Sequence, residues 1–169
     1  MRPGRTALVV VTFVILQVAL FSHLRVAGVV PDLGIVLAVA VAFRHGPEAG
    51  AIVGFASGVA YDLFLETPTG MSAISYALTA YGVGVLQTGM LRAPAWLPVV
   101  LAFGAGIAGG LLFAGIGILV GVDGVWADRT LQVVAIAAVY DAMLAPCVFW
   151  LVRRVLDRAH SVSVGWPGS

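Results

Sequence analysis

Two aspartates, Asp62 and Asp141, lie inside strongly apolar stretches of the sequence, where a carboxyl group needs an explanation. Because ionisation is costly there, such a residue usually faces the interior of a helix bundle or a polar partner. One use is a relay for protons or ions, and the other is a hydrogen bond that joins neighbouring helices. We favour the second use and keep the first as the alternative. The candidate hydrogen-bond partners are Gln17, Gln87, Tyr76 and Tyr81.

The other reactive residue types do not form a recognisable catalytic or metal site. His23, His45 and His160 fall in different connections of the predicted topology, so we do not expect them to converge on a metal. Cys147 is the single cysteine and lies in an apolar run, which excludes a disulfide within the chain. Phosphate-binding loops and nucleophile elbows are missing from the sequence. The sequence therefore predicts a protein that is not an enzyme and binds no cofactor.

Glycines recur at a spacing of four before the first of the two aspartates. The series is Gly46, Gly50, Gly54 and Gly58, and it continues along the same line to Asp62 and Glu66. Residues four apart share one face of a helix. In lipid, small residues at this spacing let two helix backbones approach closely. We therefore expect a docking face for another helix, either of this chain or of a partner.

The elements that carry these residues are predicted to be membrane-spanning helices. Hydrophobic residues make up 61% of the chain, charged residues 10%, and the mean hydropathy is +1.06. A soluble protein needs far more charge on its surface. Charge, proline and glycine divide the chain into six apolar stretches. They lie at about 6–22, 31–44, 47–65, 70–90, 95–121 and 130–152, in one domain over 1–160 with a short cytoplasmic tail at 161–169.

Features at the ends of these stretches predict how the helices start and connect. Pro31 and Asp32 suit the first turn of the second stretch, because proline is tolerated there and an acid faces the positive end of the helix dipole. A polar turn over residues 66–70 predicts that the third and fourth helices are antiparallel neighbours. In the fifth stretch, Gly106 with Gly110 repeats the spacing of four. The third and fifth helices are therefore candidates for packing on each other or on a partner.

The distribution of arginine predicts the orientation of the chain. All nine basic residues are arginine, and seven of them fall on the side of the membrane that carries both termini. Cytoplasmic loops are enriched in basic residues, so both termini are predicted to be cytoplasmic. A formal net charge of +1 makes nucleic acid an unsuitable partner. Membrane lipid is the expected surroundings.

Several short motifs resemble one known family, the rod shape-determining protein MreD. They are Pro31-Asp32-Leu33, Arg44-His45-Gly46-Pro47, Gly50-Ala51, Gly54-Phe55, Gly58, Asp62-Leu63, Thr67-Pro68-Thr69-Gly70, Ala73 and Tyr81-Gly82. The resemblance is densest from about 31 to 84 and extends to the remaining chain in layout. It implies a multi-pass protein of the bacterial cytoplasmic membrane that acts as a scaffold in the cell-elongation complex.

The resemblance also implies partners and a fold. The partners are the bitopic protein MreC, the actin-like MreB filament, a glycan polymerase and a penicillin-binding transpeptidase. The fold would be similar to that of the substrate-binding subunits of energy-coupling-factor vitamin transporters, and such a subunit is the alternative function. A small proton-coupled exporter that uses the two aspartates is a third possibility.

A specific hypothesis combines this resemblance with the glycine series. The glycine-bearing face and its outer end dock the transmembrane helix of an MreC-like partner. The residues assigned to this docking or packing site are Gly46, Gly50, Gly54, Gly58, Asp62, Thr67, Pro68 and Gly70.

Overall fold

The structure is a computed structural model that describes Thr12 and residues 31–63, 70–89, 94, 96–121 and 129–156. These residues form five helices and no strand, which confirms the all-helical prediction for this part of the chain. The helices are α1 (Leu33–His45), α2 (Pro47–Asp62), α3 (Met71–Thr88), α4 (Leu97–Val120) and α5 (Thr130–Leu156). They fall in the second to sixth predicted stretches. The first predicted stretch, 6–22, lies outside the described residues apart from Thr12.

Helix α1 lies at the centre of the bundle. It packs against each of the other four helices, and its segment from Ile35 to Ala42 is buried on all sides. A helix that is apolar all round has no face for water, so burial among other helices is its stable position. Asp32 is the N-cap of α1, because its carboxylate accepts hydrogen bonds from the backbone N–H groups of Gly34 and Ile35. The predicted position of an acid at the start of this helix is therefore confirmed, and Pro31 lies one residue before the cap.

Helices α2 and α3 form an antiparallel hairpin. Gly58 lies against Ala73 at one end of the pair, and Pro47 lies against Gly84 at the other. The reversed order of these contacts along the two helices shows that they run in opposite directions. Gly70, between the helices, has a φ of +108°, a backbone conformation that glycine adopts without strain.

Helices α4 and α5 are longer and more apolar. Leu97–Val120 has 24 residues and contains an 18-residue stretch with a mean hydropathy of 2.2, and Thr130–Arg154 has 25 residues and a similar stretch with a mean of 1.9. A helix of 24 residues is about 36 Å long, which exceeds the ~30 Å hydrocarbon core of a bilayer. Among the described residues, these two helices are long and apolar enough to cross a membrane. Helix α5 continues past the predicted end at 152, because Arg153 and Arg154 suit the negative end of the helix dipole.

Candidate functional site

The carboxylate of Asp62 joins the end of α2 to the start of α3. It accepts hydrogen bonds from the backbone N–H groups of Gly70 at 2.7 Å, Ser72 at 3.1 Å and Ala73 at 3.4 Å. The first N–H groups of a helix have no partner within the helix, and the helix dipole there favours negative charge. Asp62 is only 2% exposed, so these bonds offset the cost of burying its polar atoms. It acts as a cap supplied by the preceding helix.

Asp141, near the middle of α5, forms a second polar junction. Its Oδ1 atom accepts a hydrogen bond of 2.9 Å from the backbone N–H of Asp32, which precedes α1. The Asp32 carboxylate in turn accepts a hydrogen bond from the hydroxyl of Tyr76 in α3. The ring of Tyr76 lies 6.2 Å from that of Tyr61 in α2. One cluster of four polar side chains therefore connects α1, α2, α3 and α5.

The bonding partners of the two aspartates differ from those suggested by the sequence. The carboxylates of Asp62 and Asp141 both accept hydrogen bonds from backbone N–H groups near helix starts. The hydroxyl of Tyr76 donates to Asp32 and not to Asp62 or Asp141. Tyr81 points outward with 48% of its surface exposed. Gln17 lies outside the described residues. The sequence did contain a sign of the role of Asp32, since an acid before an apolar run is typical of a helix N-cap.

The glycine series of α2 lies against neighbouring helices of the same chain. An added Cβ at Gly50 would collide with Ala42 of α1. At Gly54 it would lie 2.7 Å from the carbonyl oxygen of Tyr76, and at Gly58 it would lie within 3.0 Å of the backbone of Ala73. The backbones of α2 and α3 are therefore in direct contact. These three glycines are covered by α1 and α3, which leaves no room there for the helix of a partner.

Gly46, which was also assigned to the hypothesised docking site, lies between two helices of this chain. Gly46 has a φ of +92° and no atom within 4 Å of an added Cβ. It connects α1 to α2, where only glycine adopts this backbone easily. Thr67 and Pro68 lie outside the described residues.

Glycines of α4 face α5 and α1, and α4 does not pack extensively on α2. An added Cβ at Gly106 would lie 2.9 Å from both the Cα of Ala138 and the Oδ2 of Asp141. At Gly110 it would meet the methyl groups of Val134. The expectation that the third and fifth predicted helices pack on each other was therefore wrong. The glycines of α2 contact α1 and α3, and those of α4 contact α5 and α1.

Buried hydroxyl groups also bond to backbone carbonyls. Ser75 of α3 donates to the carbonyl of Gly109 in α4 at 2.6 Å, and Ser57 of α2 donates to that of Val53 at 2.8 Å. Thr79 donates to the carbonyl of Ser75 at 2.8 Å. Within the described ranges, no group of three or more His, Cys, Asp or Glu residues is arranged to hold a metal ion. The Ser75 bond joins two helices, whereas the bonds of Ser57 to Val53 and of Thr79 to Ser75 lie within their own helices.

A family profile described as rod shape-determining protein MreD matches residues 5–155, which is most of the chain. The match covers the five described helices, except for the last residue of α5, and the apolar stretch that precedes them. It confirms the resemblance seen in the motifs of residues 31–84. No curated protein and no solved structure matches the chain significantly. The chain belongs to the MreD family of rod shape-determining proteins.

Proposed function

We propose that this protein is a multi-pass scaffold of the bacterial cytoplasmic membrane that has no catalytic activity and supports rod-shaped growth. It binds an MreC-like bitopic protein. Through this contact it takes part in a complex with the MreB filament, a glycan polymerase and a penicillin-binding transpeptidase. The complex directs lateral peptidoglycan synthesis. Membership of the MreD family is the observation that carries the proposal.

The use of polar groups in the bundle supports a scaffold. The carboxylates of Asp62, Asp32 and Asp141 accept hydrogen bonds from backbone groups or from Tyr76. A catalytic or transport site needs polar groups that converge on a ligand. The described polar contacts instead hold helices at fixed positions, as a scaffold requires.

The outer surface of the bundle is suited to lipid and to helices of other proteins. Leu78 and Val85 of α3 and Leu119 of α4 have 53%, 49% and 87% of their surface exposed. Exposed apolar area of this kind is stable in a bilayer. Because Gly54 and Gly58 are covered, we place partner contacts on these outer faces and not on the glycine series of α2.

Affinity purification of the tagged protein from native membranes, with identification of the bound proteins by mass spectrometry, tests the proposal. We expect recovery of an MreC-like protein together with cell-wall synthases. Recovery of paired ATPases and a coupling membrane subunit would instead identify a vitamin transporter subunit and overturn the proposal.

Two leucine substitutions separate partner binding from folding. Gly82→Leu adds a side chain where an added Cβ has no atom within 4 Å, on the outer face of α3. Gly58→Leu places the same side chain between α2 and α3, where it disrupts the fold. We expect Gly82→Leu to keep normal membrane abundance and to weaken co-purification if α3 meets the partner. Gly58→Leu should lower abundance itself.

A further inference from the structure

The two faces of α5 differ sharply in exposure. The inner face is buried, and its residues are Ala138, Asp141, Ala145, Val148 and Val152. The outer face is exposed, and its residues are Val139, Met143, Cys147, Trp150 and Arg154. Both series follow the spacing of three and four that places residues on one side of a helix. The outer face is therefore a continuous apolar surface that ends in an aromatic ring and a positive charge.

The aromatic ring and the charge are in contact. The guanidinium carbon of Arg154 lies 4.9 Å from the centre of a Trp150 ring, within the range of a cation–π interaction. Trp150 is 53% exposed, so the Trp150–Arg154 pair faces the surroundings of the bundle. This contact restricts the movement of the guanidinium group. Its N–H groups can then form two parallel hydrogen bonds to a phosphate.

The described basic residues around this pair outnumber the described acids. Arg153 is also exposed, and the ring of Phe149 lies 5.5 Å from that of Phe43, which places the last turn of α1 with Arg44 beside α5. Neither helix has an acid in its last turn. Among the residues that the structure describes here, the exposed acid is Glu48 on α2, and α2 packs mainly on α1 and α3.

The length of the outer face matches one leaflet of a bilayer. Met143 and Arg154 are 11 residues apart, which corresponds to about 16 Å along a helix. Half of the hydrocarbon core is about 15 Å thick. An acyl chain can therefore lie along Met143 and Cys147 while its headgroup reaches the arginine. Tryptophan is also the residue typical of this interfacial depth.

We propose that the outer face of α5 binds an anionic phospholipid, with its phosphodiester held by Arg154 and Arg153. The ring of Trp150 packs on the glycerol region, and the acyl chain follows Met143 and Cys147. This inference rests on the membrane placement in the proposed function. It adds a specific lipid site to that placement.

Fluorescence quenching by brominated lipids tests the site. We would replace Trp96, Trp126 and Trp166 by Phe, so that the emission comes from Trp150 alone, and reconstitute the protein in vesicles. Phosphatidylglycerol or phosphatidylcholine with brominated acyl chains is then added at equal mole fractions. We expect an excess of quenching by phosphatidylglycerol that corresponds to roughly fivefold enrichment beside Trp150.

Matched variants show whether the Trp150–Arg154 pair forms the lipid-binding site. Arg154→Gln should remove the excess, and Arg154→Lys should remove at least half of it, because lysine keeps the charge but loses the planar fork. Arg129→Gln, at the opposite end of α5, should leave the excess unchanged. A full excess in Arg154→Lys would indicate general attraction of anionic lipid and overturn the site.

The control lipids separate this proposal from the membrane placement. Equal quenching by both brominated lipids would show that Trp150 contacts lipid without selecting a headgroup, which overturns the lipid site alone. No quenching by either lipid would show that α5 does not face the bilayer. That result would also contradict the proposed membrane function.

Discussion

The two helix pairs of the bundle, α2–α3 and α4–α5, are both antiparallel neighbours but are joined in different ways. In the first pair, Gly54 and Gly58 bring the backbone of α2 against that of α3, and Asp62 caps α3. In the second pair, an added Cβ at Gly106 would meet both backbone and side-chain atoms of α5. At Gly110 it would meet side-chain atoms of α5 alone. The first pair is short and the second is long enough to cross a bilayer.

This difference determines where each helix pair tolerates a substitution. Backbone atoms cannot rotate away from an added methyl group, whereas a side chain can change its rotamer. The α2–α3 hairpin is therefore the rigid part of the described structure, and the α4–α5 pair has more freedom to adjust. Among the described residues, more of the exposed large hydrophobic side chains also lie on α4 and α5 than on α2 and α3.

The largest effect is expected from Gly58→Ala. Its methyl group would lie within 3.0 Å of the backbone of Ala73, so α2 and α3 would have to separate. We expect a loss of about 2–3 kcal/mol in the free energy of unfolding, at the upper end of the cost of overpacking. Thermal unfolding of the purified protein in detergent would show this loss as a lower Tm.

Gly82→Ala is the matched control on the same hairpin. An added Cβ there has no atom within 4 Å, and alanine favours a helix over glycine by about 1 kcal/mol. The control should therefore be neutral or slightly stabilising. Equal destabilisation by both substitutions would show that the two helices do not pack through their glycines.

Removal of the carboxyl cap should have the next largest effect. Asp62→Ala leaves the N–H groups of Gly70, Ser72 and Ala73 without this acceptor, and we expect a loss of about 1–2 kcal/mol. Asp62→Asn keeps one acceptor oxygen, so its loss should be about half as large. The Tm values of the two variants measure the difference.

The same pair of variants distinguishes a cap from a proton relay. If Asp62 acts as a helix cap, cells that carry Asp62→Asn should keep rod shape when the variant reaches normal membrane abundance. A relay predicts loss of shape at normal abundance, since an amide does not titrate. That second outcome would contradict the structural role of Asp62.

The sequence allowed the helices to be predicted better than their contacts. Proline, glycine and charge separate the apolar stretches, so the segments 47–65 and 95–121 fall close to α2 and α4. The prediction that α2 packs on α4 was wrong, because a spacing of four identifies one face of a helix but not the helix that covers it. The partners of Asp62 and Asp141 were missed because backbone N–H groups carry no residue-specific pattern.

Substitution of Gly106 or Gly110 in α4 should have the smallest effects, and it tests whether the α4–α5 pair adjusts to an added methyl group. Gly106→Ala would bring a methyl group to 2.9 Å from the Cα of Ala138 and the Oδ2 of Asp141, so we expect a loss of about 1 kcal/mol. Gly110→Ala meets the two methyl groups of Val134 and no backbone atom as close, so a small shift of that side chain suffices, and the better helix propensity of alanine offsets the cost. Its free energy of unfolding should stay within about 0.5 kcal/mol of the unchanged protein. If both α4 substitutions cost as much as Gly58→Ala, the α4–α5 pair is as rigid as the α2–α3 hairpin. The contrast between backbone and side-chain contacts would then fail, because the side chain of Val134 and the backbone of Ala73 would resist an added methyl group equally.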